Sequence, residues 1–227
     1  MPSDSPIVPV VQHPTDVLVR ARCLAATALV AFASGDDEQL DLADQLADGV
    51  QEALTPLERR ALGGGVLESE QLSRLSWQTV SAGVLLWALQ RLEEGPRGDH
   101  PPNAREVINN LLENPDLASE DNLRAMAELR TFSHEARAWA WATRNEQLVR
   151  STGSTSLQQP VPENARAVPV FSRSDAPTEA PIEVDGVPLR EVDDHRLDQL
   201  ISINSERLRA SRWLLGEAEW DVVALSV

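Results

Sequence analysis

Residues 75–96 read LSWQTVSAGVLLWALQRLEEGP, a nearly uncharged stretch with a tryptophan near each end of its apolar part. The uncharged run covers only residues 75–90 and includes serine, threonine and glutamine, whereas a bilayer span needs about 20 mostly apolar residues. Its segment VLLWAL is apolar on every side, as in a helix surrounded by other helices. The stretch therefore predicts a central core helix over about residues 70–92, with Trp77 and Trp87 as packing anchors. A ligand-facing role is left open only for Trp77.

The charge of the chain limits its partners. The 227 residues include thirty-six acidic and twenty basic ones, which gives a net charge of −16. Such an excess argues against nucleic-acid binding, which depends on neutralising phosphates, and is compatible with a basic protein partner. All basic residues are arginine, so Schiff-base chemistry, a P-loop lysine and a Ser-Lys dyad are excluded.

The cysteine content and the N-terminal sequence predict a cytoplasmic protein. Cys23 is the single cysteine and lies in an apolar helical run, which favours a reducing compartment. Arg20 and Arg22 precede the apolar run CLAATALVAF, as in a secretory signal, but no basic residue occurs before Arg20. We therefore expect an amphipathic first helix there and no membrane segment.

Capping signals and hydrophobic periodicity divide the first half of the chain into helices. Thr15 or Asp16 can cap a first helix that ends near residue 33, before Gly35. The sequence TPLE at residues 55–58 is a capping box with proline at the first helical position. Residues 36–70 contain ten acidic side chains against two arginines, which is typical of a solvated helix face, with a dedicated contact surface as the alternative.

The second half predicts three further helices and a hairpin. Asn103 can begin one helix, Ser119 can cap a long one that extends to residue 150, and Asp193 or Asp194 can cap the last. Asp-Gly between short apolar arms in residues 182–189 indicates a tight β-hairpin.

We thus predict one mostly all-α domain of six to seven helices, with a small β-hairpin before the last helix. It covers residues 14–227, follows a loose arm at 1–13, and includes an irregular connection at 151–181. The core helix should be packed by the helices at about 119–150 and 193–215.

Three blocks resemble a known family. They read LSWQTVSAGVLLWALQRLEE (75–94), FSHEARAWAWATRNEQL (132–148) and DGVPLREVDDHRLDQLISINSERLRASRWLLGEAEWDVV (185–223). Their order and separation are similar to those of the bacterial family catalogued as domain of unknown function 4272, over about residues 14–223. The resemblance implies a mostly helical fold and carries no established activity. Asn145 stands where members often carry aspartate, and Leu208 where they often carry histidine, so a catalytic site built on those residues would be incomplete here.

Motifs for catalysis or metal binding are not found in the sequence. The four histidines are far apart and form no HExxH pattern or Cys/His pair, so we predict no metal and no cofactor. There is no Gly-x-Ser-x-Gly elbow, and Cys23 is surrounded by apolar residues that favour an inert thiol. No catalytic residue is therefore assigned, and we expect a protein that is not an enzyme.

The best polar candidates are arginines and tryptophans on the two last long helices. Arginine pairs bidentately with carboxylates and stacks on indole, so internal ion pairing is one interpretation and a ligand or anion pocket is the other. The candidate pocket comprises Arg137, Trp141, Arg144, Asn145, Glu206, Arg207 and Trp213.

Three functional hypotheses follow. The first is a non-catalytic protein that binds a basic protein partner through its acidic surface, for example an immunity or inhibitor protein. The second is a small-ligand or anion binder that uses the arginine-tryptophan set. The third is an enzyme with a dispersed acid-base site. The sequence predicts neither the identity of the partner nor the oligomeric state.

Overall fold

The computed structural model describes residues 11–33, 35–115, 123–152 and 182–220. Within these ranges there are eight α-helical segments and one two-stranded antiparallel sheet. The helices are α1 (Pro14–Ala33), α2 (Asp37–Ala47), α3 (Pro56–Leu62), α4 (Ser69–Ser76), α5 (Gln78–Ala88), α6 (Ala104–Glu113), α7 (Met126–Thr152) and α8 (Asp194–Leu214). The strands β1 (Glu183–Val184) and β2 (Val187–Pro188) precede α8, which confirms the predicted fold class.

Helix α1 begins two or three residues earlier than the sequence indicated. Its first residue is Pro14, whose missing N–H is no loss at this position. The ring Nδ1 of His13 accepts a hydrogen bond from the Thr15 N–H at 3.3 Å, so the predicted caps Thr15 and Asp16 are wrong. Gly35 follows the end of the helix with a φ of +89°, which a residue with a side chain rarely adopts.

The predicted core helix is divided at Trp77 into α4 and α5, so the described residues form eight helical segments where six to seven helices were expected. The Ser76 hydroxyl donates to the Ser73 carbonyl at 2.7 Å and the Thr79 hydroxyl to the Ser76 carbonyl at 3.4 Å. Hydroxyl groups that bond back to the preceding turn compete with the helical ladder and bend it. The helix therefore turns where its polar residues are concentrated.

Helix α5 lies at the centre of the fold, as predicted. Ten of its eleven residues are buried, including Gln78 and Ser81. It packs mainly on α1, α8 and α6, whereas α7 packs mainly on α8. The expected contact between α7 and α5 is seen at Trp87, whose ring centre lies 4.7 Å from that of Phe132.

The helix caps agree with the sequence in three places. Thr55 and Glu58 form the reciprocal capping box of α3. Asn103 accepts from the N–H of Arg105 at the start of α6, and Asp193 accepts from that of Arg196 at the start of α8. Ser119, the predicted cap of the long helix, lies outside the described residues, as does nearly all of the predicted arm at 1–13 and connection at 151–181.

The hairpin turn and the α5–α6 connection are both held in fixed positions. Asp185 and Gly186 have φ values of +54° and +77°, as a two-residue type I′ turn requires. In the connection, a Cβ added to Gly98 would lie 2.4 Å from the ring of Trp139, so only glycine allows the loop this close to α7. These two turns bring Asp99, His100 and Asp185 together.

Candidate functional site

Five charged side chains are buried in the helical core. Their exposed fractions are 5% for Arg20, 1% for Glu58, 2% for Glu206, 1% for Arg207 and 1% for Arg209. Charged side chains are almost never fully buried unless they are paired, so each requires partners within the fold. We call Arg20, Glu58, Glu206, Arg209 and Trp220 the buried charge network, because their contacts are continuous.

The first half of the network joins α1 to α3. Arg20 forms an ion pair with Glu58 and also donates to the Ala53 carbonyl at 3.1 Å. The other oxygen of Glu58 accepts from the Thr55 N–H at 2.9 Å, so one carboxylate both caps α3 and neutralises a core arginine. Gln78 of α5 donates to Glu58 at 3.4 Å, which extends the network to the central helix.

The second half of the network lies between α5 and α8. Glu206 and Arg209 are three residues apart on α8 and form an ion pair at 3.1 Å. The Ser81 hydroxyl of α5 contacts both the Glu206 carboxylate, at 2.6 Å, and the Glu206 carbonyl, at 3.0 Å. Burial lowers the pKa of Arg209 and Glu206 opposes this effect, but arginine remains charged at neutral pH.

Trp220 connects the two halves. The Arg20 guanidinium lies 4.7 Å from the centre of its ring and the Arg209 guanidinium 5.4 Å from it. Trp213 meets the same indole edge to face, with ring centres 5.8 Å apart. Cation–π contacts become stronger when water is excluded, and Trp220 is only 8% exposed. The side chains of the network are therefore buried within the described part of the fold.

Arg207 forms a separate cluster on the opposite side of α8. Its guanidinium pairs with Glu135 of α7 at 2.8 Å and donates to Asn204 at 2.9 Å. The same group lies 4.9 Å from the Phe132 ring centre. Burial lowers the pKa of Arg207, and the hydrogen bond to Glu135 opposes this effect. These contacts fasten α7 to α8.

The seven residues of the candidate pocket fall into different environments. Glu206, Arg207 and Trp213 are buried, and the partners of Glu206 and Arg207 favour internal ion pairing for these two residues. Arg137 pairs with Glu217 at 3.4 Å. Trp141, Arg144 and Asn145 are half-buried, and Arg144 donates to Gln147 at 3.3 Å.

In the described part of the chain, polar contacts do not connect the α7 members of the candidate pocket to its α8 members. Among the described residues, no hydrogen bond or ion pair joins the α7 members of the set to its α8 members. Burial lowers the pKa of Arg144. A ligand pocket formed by the whole set stays a prediction.

Asp99, His100 and Asp185 form a cluster that the sequence did not predict, because Asp185 lies far from the other two along the chain. One potential ligand atom from each lies within 4.8 Å of the others, a spacing at which a metal ion could be held. However, Arg97 binds Asp99 through two hydrogen bonds of 2.7 and 3.0 Å, and Arg196 lies 3.7 Å from Asp185. The carboxylates are thus neutralised by arginine.

Asp99 makes the stability of the protein sensitive to acid. Burial alone would raise the pKa of Asp99, but hydrogen bonds from Arg97 and His100 outweigh this effect and hold its pKa below the ordinary value. A carboxylate with a lowered folded-state pKa stabilises the protein above its unfolded-state pKa of about 4, and this contribution is lost as pH falls through the folded-state value. The unfolding free energy of the unchanged protein should fall as the pH is lowered from about 5 to 2. We expect this fall to be smaller in Asp99→Asn.

Urea denaturation at a series of pH values measures this effect. Asp198→Asn is the matched control, because Asp198 is an exposed carboxylate on α8. Equal pH dependence in the two variants would contradict the stabilising role of the Asp99 carboxylate.

Sequence reasoning missed the most connected part of the network. Arg20 lies between the buried residues Val17 and Ala21 on an otherwise apolar face of α1, which is a signal that could have identified it. Glu58 was interpreted only as a local cap, and its contact with Arg20 spans 38 residues of sequence. Arg209 and Ser81 gave no signal, because the predicted packing of α8 on α5 does not show which side chains of the two helices meet.

Comparison with known proteins defines a family without a known activity. The sequence matches the family described as Domain of unknown function (DUF4272) over residues 1–166, and the chain belongs to that family. The match contains the first two blocks of resemblance and ends before the third, at 185–223. No curated protein and no solved structure matches the chain significantly. In the described ranges, no helix combines the length and apolarity needed to cross a membrane.

Proposed function

We propose that this protein is a non-catalytic binding protein that recognises a basic protein partner through one acidic helix surface. The surface consists of Asp37, Asp41, Asp44, Asp48 and Glu52, all exposed on α2 and the 3₁₀ turn that follows it, and we call it the acidic face. Residues 36–52 contain seven acidic side chains and no basic one.

The carboxylates of the acidic face differ from those that pair with arginines of other elements. Arg20, Arg150 and Arg207 each pair with a carboxylate of another element. Within the described part of the chain, no ion pair involves a member of the acidic face. Its charge is therefore available to a partner, and this observation carries the proposal.

The position of these residues is unfavourable for the helix itself. Asp37 and Asp41, and also Asp44 and Asp48, are four residues apart, so like charges face each other on adjacent turns. Asp44 and Asp48 also lie at the C-terminal end of α2, where the helix dipole disfavours negative charge. A surface that reduces stability in this way is typical of a region kept for binding.

The test neutralises the acidic face without changing the size of its side chains. The variant Asp41→Asn, Asp44→Asn, Asp48→Asn, Glu52→Gln is expected to bind the partner at least about fourfold more weakly, because each exposed ion pair contributes about 0.2–1 kcal/mol. The same variant should unfold at a slightly higher temperature, because repulsion within α2 is removed. Affinity is measured by surface plasmon resonance with a basic protein captured from a native extract.

The control variant has the same net charge as the test variant, but its acidic face is unchanged. It carries Glu113→Gln, Glu183→Gln, Asp198→Asn and Glu219→Gln, which are exposed residues on other elements. It should keep its affinity, and binding of the unchanged protein should weaken as salt rises. Failure to retain any basic protein at physiological salt, or equal losses in both variants, would reject the proposal.

A further inference from the structure

We infer that the groove between α2 and α3 anchors an apolar side chain of the basic partner, an inference that rests on the proposed function. The groove is open to solvent and has a volume of about 640 Å³. Ala47, Leu54 and Leu62 supply its apolar lining. A volume of this size lies within the usual range of about 300–1,000 Å³ for binding pockets.

The charges at the groove are asymmetric. Asp44 and Asp48, two members of the acidic face, line it on the α2 side. Arg59 lines it on the α3 side, and its guanidinium donates to the Leu54 carbonyl at 2.9 Å. A basic group of the partner is therefore attracted towards α2, while an apolar side chain beside it can enter the groove.

The two walls are fixed before any partner binds. Arg22 of α1 donates to the carbonyls of Leu46 at 3.1 Å and Asp48 at 2.8 Å, which holds the C-terminal end of α2. The capping box of Thr55 and Glu58 fixes the start of α3. Because little ordering is needed on binding, more of the contact energy appears as affinity.

These features define the chemistry of the occupant. We assign the groove to a segment of the partner in which one leucine, methionine or phenylalanine is flanked by arginine or lysine residues. The apolar side chain loses contact with water in the groove, and the flanking cations lie over the acidic face. Burial of a single apolar side chain increases affinity about tenfold or more.

Three synthetic peptides test the inference. The first has several arginines on each side of a central leucine, and the second is identical except that serine replaces the leucine. We expect the leucine peptide to bind about tenfold more tightly to the unchanged protein, as measured by fluorescence anisotropy at constant salt. An uncharged peptide with the same leucine should bind more weakly than either.

A protein variant separates the groove from the acidic charge. Gln51 lines the groove and is exposed, so Gln51→Trp fills the space without changing net charge. This variant should bind both peptides with the affinity that the unchanged protein has for the serine peptide. Asn109→Trp, which adds an exposed indole to α6, should keep the tenfold preference. Circular dichroism checks that each variant is folded, and the comparison of peptides on the unchanged protein does not depend on any variant.

Each outcome decides one of the two proposals. Equal affinities of the leucine and serine peptides, or binding of neither, would overturn the groove inference. The acidic-face proposal would then be decided separately, by the affinity measurements with the captured basic protein. Equal binding of the uncharged and arginine-flanked leucine peptides would instead show that the acidic side of the groove does not favour cationic peptides.

Discussion

Glu206→Ala should lower the free energy of unfolding by about 3–5 kcal/mol, because it breaks the buried ion pair with Arg209 by removing one partner. Arg209 and Glu206 are 1% and 2% exposed, so solvent cannot replace the lost carboxylate. Ser81 would also lose the acceptor at 2.6 Å. Since whole domains are stable by about 5–15 kcal/mol, this single change removes a large part of the total.

Urea denaturation monitored by tryptophan fluorescence measures the effect, since Trp213 and Trp220 lie beside the network. Glu113→Ala, at an exposed position on α6, is the control and should change the free energy by less than about 0.5 kcal/mol. The double variant Glu206→Leu, Arg209→Met should recover much of the loss, because an apolar pair of similar size needs no counterion. A cost below about 1 kcal/mol for Glu206→Ala would contradict burial of an intact ion pair.

Glu58→Ala should have a comparable effect through two separate losses. Arg20 would lose its carboxylate partner in the core, a cost of about 3–5 kcal/mol, and α3 would lose the acceptor of the Thr55 N–H at 2.9 Å. Glu58→Gln keeps an oxygen for Thr55 and removes only the charge. The glutamine variant should therefore be more stable than the alanine variant by roughly the value of a helix cap, about 1 kcal/mol.

Cys23 provides a local measurement for this second prediction. It is the single cysteine of the chain, it is buried, and its thiol contacts the Val50 carbonyl at 3.7 Å. Burial raises its pKa to about 11, so the thiol of the native protein should react very slowly with a disulfide reagent. Glu58→Ala should accelerate labelling, whereas Glu70→Ala on the exposed side of α4 should not. Equal labelling rates would show that Glu58 does not hold this part of the core together.

The fold was predictable where local chemistry decides the structure. Residues only a few positions apart determine three of its features: the capping box at Thr55, the Asp-Gly turn at Asp185 and the apolar run of α5. The bend at Trp77 was not predicted, because an apolar pattern continues across it and only the serine and threonine hydroxyls interrupt the ladder. The first residue of α1 was also missed, since His13 is not among the usual capping residues.

The partners of the buried charged residues were less predictable, because they depend on pairing between distant elements. Charge reasoning indicated a basic partner, but nothing in the sequence showed that α2 keeps its carboxylates unpaired while Glu58 and Glu206 are neutralised in the core. Arg207 belongs to the predicted candidate pocket, and the carboxylate that it contacts, Glu135, lies 72 residues away along the chain. Which acidic residue an arginine meets is decided by helix packing, and a net charge of −16 leaves many choices open.

Trp220 has a consequence for how the protein can be divided for expression. The family match ends at residue 166, but the Glu206–Arg209 ion pair lies beyond it, as does Trp220, whose ring contacts Arg20 of the first helix. A fragment limited to the matched residues would expose the face of α5 that packs on α8, together with an uncovered arginine. The folding unit is therefore longer than the segment that matches the family, and the first helix is fully packed only after the last helix has been synthesised.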